Sequence, residues 1–238
     1  MPAELRTERR GATLVLTLSA PATRNRLTEQ LVAAGIEAMN VAESDPGVRC
    51  IVLCGDGAHF CAGCEPAAPA ETSAARLQRA ERLAQLAEAI RACPRPVVAA
   101  IEGCVGGAGL ALALACDLRV VAEDAQFARP EDRPAPDVDG MAQALFAQAL
   151  PRALALQWLW LDDPGFVRRW QACGGVQRIC AAGQALGEAC ALADRLASLP
   201  EALLATGKEL ADRDTQPSFA QQLADARTRV ASRPPHGR

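Results

Sequence analysis

The chain has 238 residues, 50% of them hydrophobic, so it can bury a full core as one domain or as a domain with an appendage. Its net charge is −3, from 25 basic and 28 acidic residues, and aromatic residues make up only 3%, with no tyrosine. This balance argues against binding to nucleic acid or to an anionic membrane, and it leaves little aromatic surface for stacking on bases.

The chain carries neither a secretory signal nor a membrane segment that we recognise. The N-terminal stretch MPAELRTERRG lacks an apolar region. The apolar run at 108–116 is far shorter than the roughly 20 residues that a membrane helix needs. Ten cysteines lie mostly in predicted strands and helices, where a free thiol behaves as a small hydrophobic group. We therefore expect a cytoplasmic protein with reduced thiols.

The first elements predicted along the chain are a hairpin, a helix and a strand. The hairpin spans 4–18, with its turn at 10–12 and leucines alternating in its second strand. Thr28 is placed to cap a helix that runs to about residue 43. A β-branched strand follows at 49–54.

A long amphipathic helix is predicted over 73–92, and the prolines at 94 and 96 end it. A buried strand follows at 97–101. It leads into a glycine-rich turn at 106–109, which opens a short apolar helix and then another strand.

After residue 134 the pattern is helical nearly to the end of the chain. Helices are predicted near 140–149, 152–161, 164–172, 184–198, 200–212 and 216–231. Strands alternating with helices, followed by a run of helices, imply an α/β core with a helical C-terminal part. We divide the chain into a core over residues 1–138 and a C-terminal helical region over residues 139–238.

Two buried strands each end in a glycine-containing loop. The strand at 97–101 leads into the turn with Gly106, Gly107 and Gly109, and the strand that begins at Cys50 leads into a loop at 59–64. A glycine turn that opens a helix presents unpaired N–H groups beside the positive end of the helix dipole. Such a site can stabilise a phosphate or a developing oxyanion.

Other uses of a glycine turn fit this sequence less well. A dinucleotide-binding fold would suit a strand, glycine turn and helix, and Glu123 or Asp124 lies at a plausible distance for a ribose contact. That fingerprint needs a third glycine or an alanine where Leu112 stands. A P-loop is excluded because no Gly-Lys-Ser/Thr follows. A serine hydrolase is disfavoured by the absence of G-x-S-x-G and by the presence of only two histidines.

Cys61-Ala62-Gly63-Cys64 has the form of a C-x-x-C motif. A zinc or redox site would need a second ligand pair or a helix start that lowers a thiol pKa. No second C-x-x-C is present, so we expect no metal and interpret these thiols as incidental to a loop whose backbone matters.

The motifs together resemble the enoyl-CoA hydratase/isomerase family, the crotonase superfamily. They are H-F-C-A-G-x-E at 59–65 and P-V-V-A-A-I-x-G-x-x-x-G-x-G…C-D-x-R…A-Q-F-x-x-P-E at 96–131. The resemblance covers roughly residues 5–210. It implies an α/β, crotonase-like spiral core of repeated strand–strand–helix units. It also implies a helical C-terminal part through which the chain forms a homotrimer or a dimer of trimers.

The resemblance implies an acyl-CoA substrate, with coenzyme A as part of that substrate and no separate cofactor. The backbone amides of Cys64 and Ala108 then form an oxyanion hole for an enolate next to the thioester. Loss of one such donor typically costs about 3–4 kcal/mol of barrier. The alternative is a tight structural turn with no ligand. Cys64 stands where the family usually has a small residue, so it narrows the site.

The acid–base residues depart from the hydratase pattern. Hydratases of the family use two glutamates. This chain has Ala111 at the position of the first and keeps the second as Glu131. Hydration needs one group to activate water and another to deliver a proton. The Δ3,Δ2-enoyl-CoA isomerases keep only the glutamate at the Glu131 position. The resemblance therefore implies an isomerase-like enzyme in which Glu131 is the base.

A second carboxylate at Asp139 resembles the dienoyl-CoA isomerase branch, where a Glu and an Asp face each other across the acyl chain. Asp137 takes its place if the register shifts. An Asp before a Gly is also common in turns, so a structural role remains open.

The resemblance places coenzyme A near Arg24, Arg26, Leu27 and Ala62. The arginines would meet phosphates and the backbone would meet the adenine. Exposed arginines before a helix are the alternative interpretation. Lys208 stands where the family often has a C-terminal lysine.

Two other functions remain open. One is a family member that has lost catalysis and binds CoA esters or a partner, as Ala111 and the unusual segment 132–139 suggest. The other is an RNA-binding relative, against which the acidic balance and the low aromatic content argue.

Overall fold

A computed structural model describes residues 3–66, 72–127, 149–161 and 165–213, together with the single positions 221 and 224. Its strands are β1 (Glu4–Arg10), β2 (Thr13–Ser19), β3 (Cys50–Gly55), β4 (Val97–Ile101), β5 (Cys104–Val105), β6 (Leu118–Ala122), β7 (Gln126–Phe127) and β8 (Arg178–Cys180). Its helices are α1 (Glu29–Ser44), α2 (Ser73–Ala92), α3 (Ala108–Ala115), α4 (Arg152–Trp160), α5 (Phe166–Ala172), α6 (Ala185–Ala197) and α7 (Glu201–Arg213).

Within the described residues, six strands form a central sheet in the order β1-β2-β3-β4-β6-β8. β1 pairs antiparallel with β2, and each later pair is parallel. The two-residue strands β5 and β7 form a separate small parallel sheet, in which Cys104 faces Gln126. The structure is therefore a mixed α/β fold, as the sequence predicts.

The core lies on both faces of the central sheet. In β3, Ile51 and Leu53 belong to a cluster with apolar residues of α1 and α2. Cys50, Val52 and Cys54 point the other way and pack against α6. Because both faces are covered, β3 and β4 are continuous hydrophobic runs rather than alternating ones.

Local signals set the element boundaries where the sequence predicts them. The hairpin turns at Gly11, whose φ of 59° favours glycine. The Thr28 hydroxyl accepts a hydrogen bond from the Leu31 amide at 3.1 Å and so caps α1. α2 spans the predicted residues and ends just before Pro94.

The C-terminal part of the chain joins the core closely. The helices predicted near 152–161, 164–172, 184–198 and 200–212 are confirmed as α4 to α7. Those predicted at 140–149 and 216–231 lie almost wholly outside the described residues, as does the predicted domain boundary. β8 was not predicted, and it extends the central sheet beside β6.

Aromatic side chains connect the core to α4 and α5. Phe127 of β7 meets the rings of Phe166 and Trp170 edge-on, at centroid distances of 5.6 and 5.2 Å. Trp158 of α4 lies 6.2 Å from Phe166. Along the described stretches, no helix is both long and apolar enough to cross a membrane.

Candidate active site

Three segments meet beyond the carboxyl ends of the central strands: residues 24–27, 59–65 and 102–109. The first two are joined by backbone hydrogen bonds. The Ala62 amide donates to the Arg24 carbonyl at 2.9 Å, and the Leu27 amide donates to the Gly63 carbonyl at 2.8 Å. These bonds bring the predicted coenzyme A residues into one cluster.

Asn25 holds this cluster to the end of β3. It is fully buried, and both it and Arg24 adopt a left-handed backbone with φ of 56°. Its side chain accepts from the Ala20 amide at 2.9 Å and donates to the carbonyls of Asp56 and His59 at 2.9 and 2.7 Å. Asparagine tolerates this left-handed backbone better than most residues. An asparagine in the loop before α1 could therefore have indicated a tight turn there.

The second and third segments pair like short strands. The Phe60 amide donates to the Glu102 carbonyl at 2.8 Å. The Cys61 amide donates to the Cys104 carbonyl at 3.3 Å, and the Gly106 amide donates back to the Cys61 carbonyl at 3.0 Å. The two glycine loops are therefore fixed relative to each other by their backbones.

Glycines permit this close approach. A Cβ on Gly109 would lie 2.2 Å from the Cys61 carbonyl oxygen. Gly107, with φ of 51°, turns the chain into α3 and is its N-cap. A side chain at either position would clash with the neighbouring loop or strain the backbone.

Within the described residues, the first amide of α3 has no acceptor. The amides of Gly109, Leu110 and Ala111 bond to the carbonyls of Gly106 and Gly107. Ala108 is the first residue of the helix, and no acceptor for its amide is found in the described parts of the chain. That N–H lies at the positive end of the helix dipole, where it can stabilise a negative charge.

Cys64 lies on the neighbouring segment. It forms a parallel bridge with Leu27, and the next amide, that of Glu65, donates to the Leu27 carbonyl at 3.1 Å. Cys61 forms the corresponding bridge with Val105. The structure thus places Cys64 and Ala62 on the segment that adjoins the one carrying Ala108, and Leu27 on the segment beyond it.

The arginines predicted to bind phosphate stand at the edge of this cluster. Arg24 is exposed and Arg26 is half-buried, whereas Leu27 and Ala62 are buried. Neither guanidinium pairs with a carboxylate among the residues that the structure describes. With respect to those described residues, both can bind an anion.

Of the positions considered for acid–base chemistry, only Ala111 lies within the described residues. Glu131, Asp137 and Asp139 lie outside the described residues. Ala111 is fully buried in α3, one turn after Ala108. No carboxylate can act from this position.

Glu102 is a further residue that sequence analysis missed. Its carboxylate accepts from the amides of Gly183 and Ala185 at 3.0 and 2.7 Å, so it caps the start of α6. Its own carbonyl accepts from Phe60. It is the one charged residue between positions 97 and 116 of the sequence, and this isolated charge in an apolar stretch could have indicated a structural role.

Lys208 lies at the opposite end of the central strands. Its Nζ is 2.8 Å from an oxygen of Asp117, and that oxygen also accepts from the amide of Val97 at 2.7 Å. Arg95, beside it, pairs with Glu201 of α7. Because Val97 begins β4, this charged cluster lies at the amino end of the strand, away from the glycine loops.

Arg119 secures the far end of α3. Its guanidinium donates to the carbonyls of Ala113, Cys116 and Gly175 at 3.0, 2.8 and 2.6 Å. It also lies 5.9 Å from the Trp170 ring. Burial lowers the pKa of this guanidinium, and the carbonyl oxygens at the helix end compensate for the buried charge.

The ten cysteines form no disulfide, and all except Cys173 are buried or half-buried. Burial raises the pKa of Cys50 and of Cys116 to about 12. Cys61 accepts a hydrogen bond from the Gly63 amide at 3.5 Å. Among the described residues, no group of three histidines, cysteines or carboxylates is arranged to hold a metal ion.

Comparison with known families decides what this arrangement belongs to. The family model for enoyl-CoA hydratase/isomerase matches residues 8–236. The chain belongs to this family. A crystal structure of an enoyl-CoA hydratase from Polaromonas sp. JS666 has a TM-score of 0.79 and 38% sequence identity, covering 96% of this chain and 91% of that one. The fold is therefore crotonase-like.

Relatives in the enoyl-CoA hydratase/isomerase family differ in how much of their length is shared. A Thermus thermophilus protein, provisionally named an enoyl-CoA hydratase, is 34% identical over 209 residues, 84% of this chain and 81% of its own. A Mycobacterium bovis protein, also provisionally named an enoyl-CoA hydratase, is 43% identical over 122 residues. That match spans only 48% of the relative's length and 51% of this chain.

Proposed function

We propose that the chain acts on acyl-CoA thioesters by enolate chemistry and that it is an isomerase rather than a hydratase. The observation that carries this proposal is Ala111, a fully buried alanine where hydratases of the family place a glutamate. Without that carboxylate, no group at this position can activate water. A single base is sufficient for an isomerase.

In the proposed reaction, Glu131 removes a proton from the carbon between the thioester and the double bond. The electron pair moves into the carbonyl, whose oxygen becomes an enolate oxyanion held by the amides of Cys64 and Ala108. The same proton is then returned two carbons away, and the double bond shifts. Atoms and charge balance without a cofactor. Asp139 is the second carboxylate if the substrate is a dienoyl-CoA.

A spectroscopic screen of purified protein tests this proposal. We expect turnover of 3-enoyl- or dienoyl-CoA esters and little hydration of crotonyl-CoA. Glu131→Gln should abolish turnover and leave binding of the CoA ester nearly unchanged. If the wild type hydrates crotonyl-CoA at roughly 1–1,000 per second, the interpretation of Ala111 is wrong.

Replacement of Ala111 by glutamate sharpens the test. Ala111→Glu restores a carboxylate one turn into α3, so crotonyl-CoA hydration should rise above wild type. Ala111→Gln is the matched control, because it imposes the same crowding on a buried position without a base. Hydration that rises equally in both variants would show that the carboxylate is not responsible.

A second candidate function is binding of CoA esters without catalysis. The guanidinium groups of Arg24 and Arg26, which pair with no carboxylate in the described part of the chain, favour it, since they could hold phosphates whether or not a reaction follows. Acetyl-CoA should raise the melting temperature by mass action. Arg24→Ala with Arg26→Ala should reduce that shift, whereas Arg152→Ala with Arg195→Ala, two exposed arginines elsewhere, should not. Binding without turnover of any ester would favour this second function.

We also propose that the chain assembles as a trimer or a dimer of trimers. The exposed residues Leu203 and Leu210 along α7, with Leu199 just before it, support a self-association surface. Light scattering should give a mass of three or six chains. A single species near 25 kDa, the mass of one chain, would contradict this assembly.

A further inference from the structure

We propose that His59 is a positioning residue that holds the two glycine loops in register for the reaction proposed above. Its Nδ1 accepts a hydrogen bond from the backbone amide of Cys104 at 3.1 Å. The ring therefore takes the place of a backbone carbonyl in the pairing between the loops. Cys64 and Ala108, the proposed oxyanion donors, follow directly on these two loops.

The Cys104 amide is a critical point of that pairing. The Cys104 carbonyl accepts from the Cys61 amide at 3.3 Å, on the same short strand that leads to Gly106. His59 and Cys104 are both half-buried. A half-buried amide that loses its acceptor carries part of a desolvation penalty, which is relieved if the loops separate and admit water. The distance between the two oxyanion donors would change with them.

His59 is itself held on two sides. Its carbonyl accepts from the Asn25 side chain at 2.7 Å, which connects it to the segment at 24–27. Its ring lies against Gly103, where φ is 48° and a Cβ would come within 2.7 Å of Nδ1. A residue with a Cβ at position 103 would force the ring or the neighbouring backbone to move. His59 thus contacts all three segments of the site.

The geometry fixes the tautomer of the ring. A nitrogen that accepts a hydrogen bond from an amide carries no proton, so in the neutral ring the proton resides on Nε2. The chain has only one other histidine, His236. Nitrogen NMR of histidine-labelled protein, with His236→Gln to assign the signals, reads this tautomer directly and needs no turnover.

Two substitutions separate positioning from bulk. In His59→Asn, the side-chain oxygen can occupy the place of Nδ1, while in His59→Gln the acceptor lies one methylene farther out. The Cys104 amide should exchange with solvent at about the wild-type rate in His59→Asn and at least about tenfold faster in His59→Gln. With the ester that the wild type turns over, kcat should stay within about threefold in His59→Asn and fall at least about tenfold in His59→Gln, with KM little changed.

The outcomes separate this inference from the proposed function. An Nε2–H tautomer together with exchange that is slow in His59→Asn and fast in His59→Gln supports the positioning role. An Nδ1–H tautomer, or equal exchange and equal kcat in the two variants, overturns it. If the wild type turns over no ester, the proposed enzyme activity fails, and the tautomer and exchange measurements still decide the role of His59.

Discussion

The two ends of β4 are held by different kinds of interaction. At its amino end, beside Val97, charged side chains form a cluster in which Lys208 pairs with Asp117. At its carboxyl end, beyond Ile101, backbone groups and glycines bring the two loops together. A half-buried charge is costly to leave unpaired, so the first arrangement favours a structural role. A neutral backbone amide at a helix start costs less to leave without an acceptor, so it can bind a ligand instead.

The comparison also explains which sequence motifs mislead. Polar residues such as Asp117 and Lys208 could be mistaken for catalytic residues. Instead, they bond to each other and to the start of β4. The proposed donors, Cys64 and Ala108, are apolar or weakly polar residues whose contribution is an N–H. At this site, charge is a poor guide to the proposed oxyanion hole.

The largest effect should come from Gly109→Ala, at the carboxyl end. The added methyl would meet the Cys61 carbonyl oxygen at 2.2 Å, so the loops must move apart. We expect a loss of about 3 kcal/mol or more in the free energy of unfolding, and about a hundredfold loss of turnover in whatever protein folds. Gly187→Ala is the control, because an exposed helical glycine with open space around it should gain stability. Urea unfolding measures the stability of both variants. An unchanged free energy of unfolding in Gly109→Ala would contradict the proposed close packing of the two loops.

An intermediate effect is expected at the amino end. Asp117→Ala removes the acceptor for the Val97 amide and the counter-ion of Lys208. The free energy of unfolding should fall by about 2 kcal/mol, with the affinity for CoA esters unchanged. Adding Lys208→Met should recover part of the loss, since no unpaired charge then remains. Asp124→Asn, at an exposed position, is the control. A marked loss of ester binding in Asp117→Ala would contradict a purely structural role for this end.

The smallest effect is expected from a charge at the carboxyl end. A hydrogen bond from the Ser19 hydroxyl at 2.7 Å, together with the Arg6 guanidinium, lowers the pKa of Asp56 below its usual value. A lowered pKa stabilises the fold above the unfolded-state value of about 4, and the contribution is lost as pH falls through the folded-state pKa. Asp56→Asn should therefore cost at most about 1 kcal/mol at pH 7 and nothing in strong acid. Melting temperatures of both proteins across that range would reveal any larger electrostatic role.

Elements with strong local signals could be predicted, and those made by tertiary pairing could not. α2 was predicted over its full length because an amphipathic pattern ends at two prolines. Thr28 was recognised as a cap for the same kind of reason. β8 has three residues, too few to show a period, and it becomes a strand only because β6 offers an open edge.

The site divides in the same way. Motif resemblance located both glycine loops and the segment at 24–27, and the structure brings these three together. The side chains that connect them could not be predicted. Asn25, His59 and Glu102 each bond to a backbone group far away in sequence, and such contacts exist only once the loops have met. The roles assigned to Glu131 and Asp139 stay predictions.

The late arrival of β8 has a consequence for synthesis of the chain on the ribosome. β6 is complete by Ala122, but its partner begins only at Arg178. At about 5–20 residues per second, the β6 edge stays unpaired for a time on the order of seconds. An open, apolar strand edge invites pairing with other nascent chains. Slow codons between these two strands would lengthen that interval, and a bound chaperone would protect it.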